Sequence, residues 1–86
     1  MFYTYIIKSK KDNNLYIGST NNLRERLTKH NKGLVPSTKN RRPFEIVYYE
    51  AYKSGDDARG REVNLKLRRN AFSQLKRRIK KSIEIN

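Results

Sequence analysis

The chain has 86 residues, 35% of them apolar, enough for one small domain with one modest core. Twenty-one Lys and Arg against 8 Asp and Glu leave a formal charge of +13, a field that draws in phosphate polymers and speeds their encounter. No apolar run approaches the ~20 residues of a membrane span, no basic-then-apolar leader opens the chain, and the lack of cysteine excludes disulfides and thiolate metal sites and suits a reducing cytoplasm.

Residues 2–8 (FYTYIIK) are aromatic and β-branched and predict a strand. Lys10 to Asn14 supply turn chemistry, because Asp and Asn tolerate left-handed backbone. Residues 15–19 (LYIGS) predict the return strand. A loop centred between Lys11 and Asp12 pairs Tyr5 with Gly18 and Ile7 with Tyr16, so that Tyr3, Tyr5 and Tyr16 share one face. A slip of one residue would move Tyr16 to the other face.

Thr20 or Asn21 is the expected N-cap of a helix running to about Lys32, with Leu23 and Leu27 as its apolar face and Gly33 as its left-handed stop. Residues 34–43 form a basic loop. Residues 44–52 (FEIVYYEAY) predict a third strand that is apolar on both faces and therefore covered. Ser54 and Asp57 read as a capping box opening a second helix, weakened at Gly60 and broken or bent near Asn70. Phe72, Leu75, Ile79 and Ile83 recur at helical spacing, predicting a final amphipathic helix with Lys76, Arg77, Arg78, Lys80 and Lys81 outside. With the apolar faces needed for the core, an anionic membrane is a weaker partner than nucleic acid.

Hydrolysing a phosphodiester requires that water lose a proton, that the pentacovalent phosphate have its charge balanced, and that the leaving oxygen be stabilised. Glu62 is the candidate metal ligand: it is the sole acidic residue in the stretch from Arg59 to Lys81, and its i−4 and i+3 neighbours, Ala58 and Leu65, turn it toward the core. One carboxylate with waters and a substrate phosphate is a normal magnesium arrangement. The plainer reading is a Glu62–Lys66 pair on a solvated helix. Arg26 and His30 stand four apart on one helix face: arginine forks onto phosphate, and neutral histidine accepts a proton. The plainer reading of His30 is an ordinary surface residue. Tyr5 and Tyr16 are possible proton handlers, although a free tyrosine titrates at about 10; Arg26 and a divalent cation are expected to pull that value down. Strand aromatics otherwise serve packing. Gly18 permits a close approach of backbone to ligand. Ser19, Lys39, Arg41 and Arg42, together with Arg68, Arg69, Lys76 and Arg77, read as phosphate contacts that position a polymer without reading its sequence.

These residues resemble the GIY-YIG nuclease superfamily, in particular small stand-alone members similar to the N-terminal nuclease domain of the excision-repair protein UvrC. Tyr16-Ile17-Gly18 reproduces the second signature tripeptide. Tyr3-Thr4-Tyr5 stands at the first, where only Tyr5 agrees. The helix with Arg26, the loop with Thr38, Pro43-Phe44 and Arg61-Glu62 follow in the expected order. The resemblance covers essentially the whole chain. It implies an α+β fold, a small three-stranded antiparallel sheet flanked by helices, over residues 1–86 as a single nuclease domain, with the site at one sheet edge. It further implies Tyr5 as proton acceptor, Tyr16 as orienter of water or phosphate, Arg26 as charge neutraliser, and Glu62 as holder of one Mg2+ or Mn2+ ion. UvrC-like members carry lysine after the signature glycine, where this chain has Ser19. Another branch has a histidine four residues after the arginine, as His30 is, so the base is Tyr5 or His30.

The expectation is a cytoplasmic, metal-dependent endonuclease that cuts DNA, with RNA as the alternative substrate, through an activated water, acting on structured or damaged DNA as in DNA repair, as a monomer or weak dimer. A catalytically weak or silent binding module of the same fold is the second expectation, and a basic ribonucleoprotein-type structural protein the third. Convergence of Tyr5, Tyr16, Arg26, His30 and Glu62 on one cleft would favour the enzyme.

Overall fold

The computed structural model describes residues 1–84, so the last two residues of the expected 1–86 unit lie outside it. The order is β1 (Phe2–Ser9), β2 (Leu15–Thr20), α1 (Leu23–Asn31), a short 3-10 turn (Lys39–Arg41), β3 (Phe44–Tyr52), α2 (Gly55–Leu67), α3 (Arg69–Arg78) and α4 (Lys80–Glu84). The three strands form one antiparallel sheet in the order β2-β1-β3, the expected α+β architecture.

The hairpin register is the expected one, with Tyr5 opposite Gly18 and Ile7 opposite Tyr16. Asn13 takes the left-handed turn position at φ 62°, and Asn14 N–H is capped by Asp12 Oδ1 at 2.9 Å. Alternation along β1 then divides the side chains between two cores. Ile6 joins Ile17, Leu65, Leu75 and Ile79 beneath α2, α3 and α4. Tyr5 and Ile7 join Phe44, Tyr16, Leu23 and Leu27 beneath α1. The central strand is therefore apolar on both sides because both sides are covered. β3 is an edge strand instead, half-covered, with Tyr49 53% exposed and edge-on to Tyr3. A bulge between its pairings with Ile6 and Ile7 leaves Val47 as the extra residue, which puts Val47 and Tyr48 on the same core.

Three local expectations are corrected. Asn22, not Thr20 or Asn21, caps α1: its side chain accepts from Glu25 N–H at 3.0 Å, while Thr20 Oγ1 accepts from Asn22 N–H one turn earlier. The second helix breaks at Arg68 rather than Asn70; Arg68 is extended at φ −108°, ψ 98° and serves as C-cap of α2 and N-cap of α3. The final helix is split at Ile79. Positions i, i+4 and i+8 drift round a straight helix by about 40° per step, and the break lets Leu75, Ile79 and Ile83 all reach the sheet side. Buried Lys8 fixes that end by donating from its ammonium to Ile83 C=O at 2.7 Å. The remaining stop holds. Gly33, at φ 77°, ends α1 with its N–H on His30 C=O and Leu34 N–H on Lys29 C=O. Of the expected Ser54–Asp57 capping box only one half forms: Ser54 Oγ accepts from Asp56 N–H at 3.2 Å, with no bond from Asp57 back to Ser54 among the described residues.

A polar cluster locks α2 to β3. The Arg61 guanidinium forks onto Glu50 (Nε to Oε1 3.0 Å, Nη2 to Oε2 3.1 Å), and the Tyr48 and Tyr52 hydroxyls donate to the same carboxylate. Burial pushes the Glu50 carboxyl up, but the hydrogen bonds from Arg61, Tyr48 and Tyr52 outweigh it and hold it below the usual range; the tyrosines, buried against an anion, are pushed to about 12. Glu50→Ala is expected to cost about 2–3 kcal/mol in urea unfolding, because it leaves Arg61 and two hydroxyls without their acceptor. A cost within error of zero would show the cluster to be a solvated surface pair.

Candidate active site

The site lies at β2, an edge strand with α1 over one face of the sheet and α2 over the other. Gly18 sits directly across from Tyr5, and the Tyr5 ring passes over it: a β-carbon at 18 would fall within 2.5 Å of Tyr5 Cζ. The backbone there is approached by the chain's own tyrosine, which corrects the expectation that the glycine clears space for a ligand. Gly18→Ala is expected to push the Tyr5 ring off its partners, costing about 1–3 kcal/mol of stability and most of any activity. Retention of both would place the ring elsewhere.

Tyr5 is almost wholly buried and His30 wholly so, so His30 is not the ordinary surface residue its lone occurrence suggested. Their polar atoms form one directed chain. Thr38 Oγ1, also buried, lies 3.4 Å from Val35 C=O and 2.7 Å from His30 Nδ1. Donating to the carbonyl, the threonine accepts from Nδ1–H, which leaves Nε2 as an acceptor. The Tyr5 hydroxyl lies 2.8 Å from Nε2 and donates to it, while Arg26 Nε–H donates to the Tyr5 oxygen at 3.4 Å. The Tyr16 ring stands edge-on to His30 at 5.2 Å.

Burial pushes the Tyr5 phenol above its ordinary value. Arg26 lowers the value as expected, but burial outweighs it, so Tyr5 without a bound cation carries its proton at neutral pH. Burial, and secondarily Arg26, lower His30 from 6.5 to about 4, so His30 is neutral. Its folded value lies below its unfolded one, so its contribution to stability is complete above pH 6.5 and lost as pH falls through 4. The difference is on the order of 3 kcal/mol. Glu50, also depressed, adds a loss in the range below 4.5. Urea midpoints are expected to be level from pH 7 to 8 and to fall steadily from 6.5 to 4; a level profile to pH 5 would contradict a buried neutral His30.

Glu62 reaches the same place from α2. Its Oε1 accepts from Ser19 Oγ at 2.6 Å, and its Oε2 from Lys66 Nζ at 2.7 Å. Lys66 Nζ in turn lies 5.7 Å from the centre of the Tyr16 ring. Tyr5, Tyr16, Arg26 and His30 therefore form one group, and Glu62 is tied to it through Lys66, which pairs with Glu62 and faces the Tyr16 ring. A polar cleft of about 140 Å³ opens beside Arg26, lined by Ser19, Asn21, Asn22, Glu25, Arg26 and Lys29 among others; of the five expected residues, Arg26 alone lines it.

A sequence model of the GIY-YIG catalytic domain matches residues 1–77. The chain belongs to the GIY-YIG family. Among relatives, it is 43% identical over 77 residues to a UPF0213 protein of Clostridium perfringens, covering 87% of this chain and 82% of that one. It is 45% identical over 65 residues to a UPF0213 protein of Staphylococcus haemolyticus (74% and 78% covered), and 41% over 68 to one of Pediococcus pentosaceus (78% and 70%). No solved structure matches it. The GIY-YIG family is one of endonucleases, which act on nucleic acid and generally use divalent metals.

Against that family chemistry, Glu62 and Ser19 offer hard oxygen donors, and no group of three His, Cys, Asp or Glu side chains suited to a metal exists among the described residues. This donor set fits an ion such as magnesium or manganese completed by waters and phosphate, and does not fit a zinc cage. Of the expected phosphate contacts, Lys39, Arg42, Arg68, Arg69, Lys76 and Arg77 are exposed, with Lys76 lying over the Phe72 ring. Arg41 is engaged within the fold: its Nε binds Asp12 at 2.9 Å, holding that carboxyl at about 2, and its guanidinium lies over Phe44. Sequence reasoning missed Lys29 in the cleft, although it lies one turn from Arg26, and gave no role to Thr38. It also missed Asn31, whose amide clips both backbone groups of Phe44. No helix among the described residues is long and apolar enough to cross a membrane.

Proposed function

We propose that residues 1–86 act as one divalent-metal-dependent endonuclease domain that hydrolyses DNA phosphodiester bonds by one-step attack of water. The observation that carries this is the Tyr5 hydroxyl held between His30 Nε2 and Arg26 Nε, beside a strand end whose Ser19 binds the Glu62 carboxylate. The attacking water gives its proton to the Tyr5 oxygen as Tyr5 passes its own to His30 Nε2, so no free phenolate is required. Tyr5 is the immediate base and His30 the acceptor behind it, held in the receptive tautomer by Thr38. The water–phosphorus bond forms, the opposite phosphorus–oxygen bond breaks, and the leaving oxygen takes a proton from solvent. Arg26 offsets charge on the phosphate oxygens. A magnesium or manganese ion, when bound by Glu62, supplies further charge stabilisation at phosphate and leaving group. Tyr16 borders the reacting centre and orients water or phosphate. The basic side chains of α3 and of the 39–42 loop hold the polymer by its phosphates.

The reading of a silent binding module draws on the two bonds that occupy Glu62. A panel of duplex, flap, branched and single-stranded DNA, with an RNA counterpart, incubated in manganese and in chelator, separates the two. Cutting of at least one DNA that stops in chelator is expected. Binding without cutting across the panel would favour the module.

A further inference from the structure

Lys66 stands out because the function just proposed leaves it no task. It sits one turn after Glu62, and a Glu-then-Lys pair at that spacing is common on solvated helices. This pair is different in its surroundings. Glu62 is mostly covered, its other oxygen is bonded from a different element by Ser19, and the Lys66 ammonium faces the Tyr16 ring. The carboxylate that lines the cleft, Glu25, is paired with Lys29 at 3.2 Å. A cation entering at Glu62 therefore has one carboxylate to win, and must displace an ammonium from it.

We propose that Lys66 is a ligand of the substrate phosphate that rests on Glu62 until substrate arrives, so that the metal ion and the phosphate bind in mutual dependence. The proposal rests on Glu62 being the metal ligand. A divalent ion at Glu62 without nucleic acid faces both displacement of, and repulsion from, the ammonium. An incoming phosphate gives that ammonium a new anion, and the flexible lysine stem can transfer between them. Coupling of this kind is reciprocal: what phosphate does for metal affinity, metal does for phosphate affinity.

The test uses the whole chain and Mn2+ as probe, with binding read by electron paramagnetic resonance. A short DNA duplex is present or absent, and Tyr5→Phe is carried throughout to prevent cutting. Against this background, DNA is expected to raise Mn2+ affinity about tenfold or more. Lys66→Met, which keeps the stem beside Tyr16, is expected to bind Mn2+ several-fold more tightly without DNA and to lose most of the DNA effect. It is also expected to reduce the salt slope of metal-free DNA binding by about one phosphate contact. Mn2+ affinity and salt slope both unchanged in Lys66→Met would overturn the proposal. Glu62→Gln separates the two failures. If it too leaves Mn2+ binding unchanged, the metal-ligand reading itself falls; if it abolishes binding while Lys66→Met changes nothing, Lys66 alone is excluded.

Discussion

Tyr5→Phe is expected to lower single-turnover DNA cleavage by about 10³-fold, within the range general-base groups contribute, with fold and DNA affinity close to the parent. The substitution removes one oxygen atom from a buried ring. The ring still passes over Gly18, so the strand pairing stays intact. What disappears is the atom joining Arg26 Nε to His30 Nε2. The stability cost should be about 1 kcal/mol for a hydrogen bond with a buried partner left behind, far too little to explain such a loss of rate. Full activity in Tyr5→Phe would transfer the base role to His30 acting directly on water.

Glu62→Ala is expected to abolish metal-dependent cleavage, a loss of at least about 10³-fold, since it removes the carboxylate proposed to hold the ion, the one bonded by Ser19. DNA binding should stay level or tighten, because a negative charge leaves the surface and Lys66 is released from its pair. The combination matters: loss of cutting with retained binding separates a catalytic defect from an unfolded protein. Cleavage equal to the parent would refute the metal-ligand assignment.

Much of this site was legible because its spacing is local. Strand alternation and the hairpin loop placed Tyr5 opposite Gly18, and helical spacing put Arg26 and His30 on one face. The directed chain through Thr38 was not legible, since nothing in the 34–43 loop says where its hydroxyl lands until β1, α1 and the loop are packed together. The raised Tyr5 phenol was missed for the same reason. Arg26 is visible in sequence as a lowering influence, whereas burial, which wins, is a property of the assembled core. The Glu50–Arg61 lock joins β3 to α2 with no periodic signal of its own. The helix break at Arg68 was misplaced and the one at Ile79 not foreseen, because both answer to the sheet beneath and not to the residues' own propensities.

Cleavage of DNA carrying a phosphorothioate of one hand at the scissile position, in H₂¹⁸O with manganese, tests the central claim most directly, that water poised by Tyr5 and His30 attacks phosphorus in one step. The expected result is one ¹⁸O in the newly formed end with inversion at phosphorus, and no product in chelator. Retention at phosphorus, or a new end that carries no ¹⁸O, would contradict it.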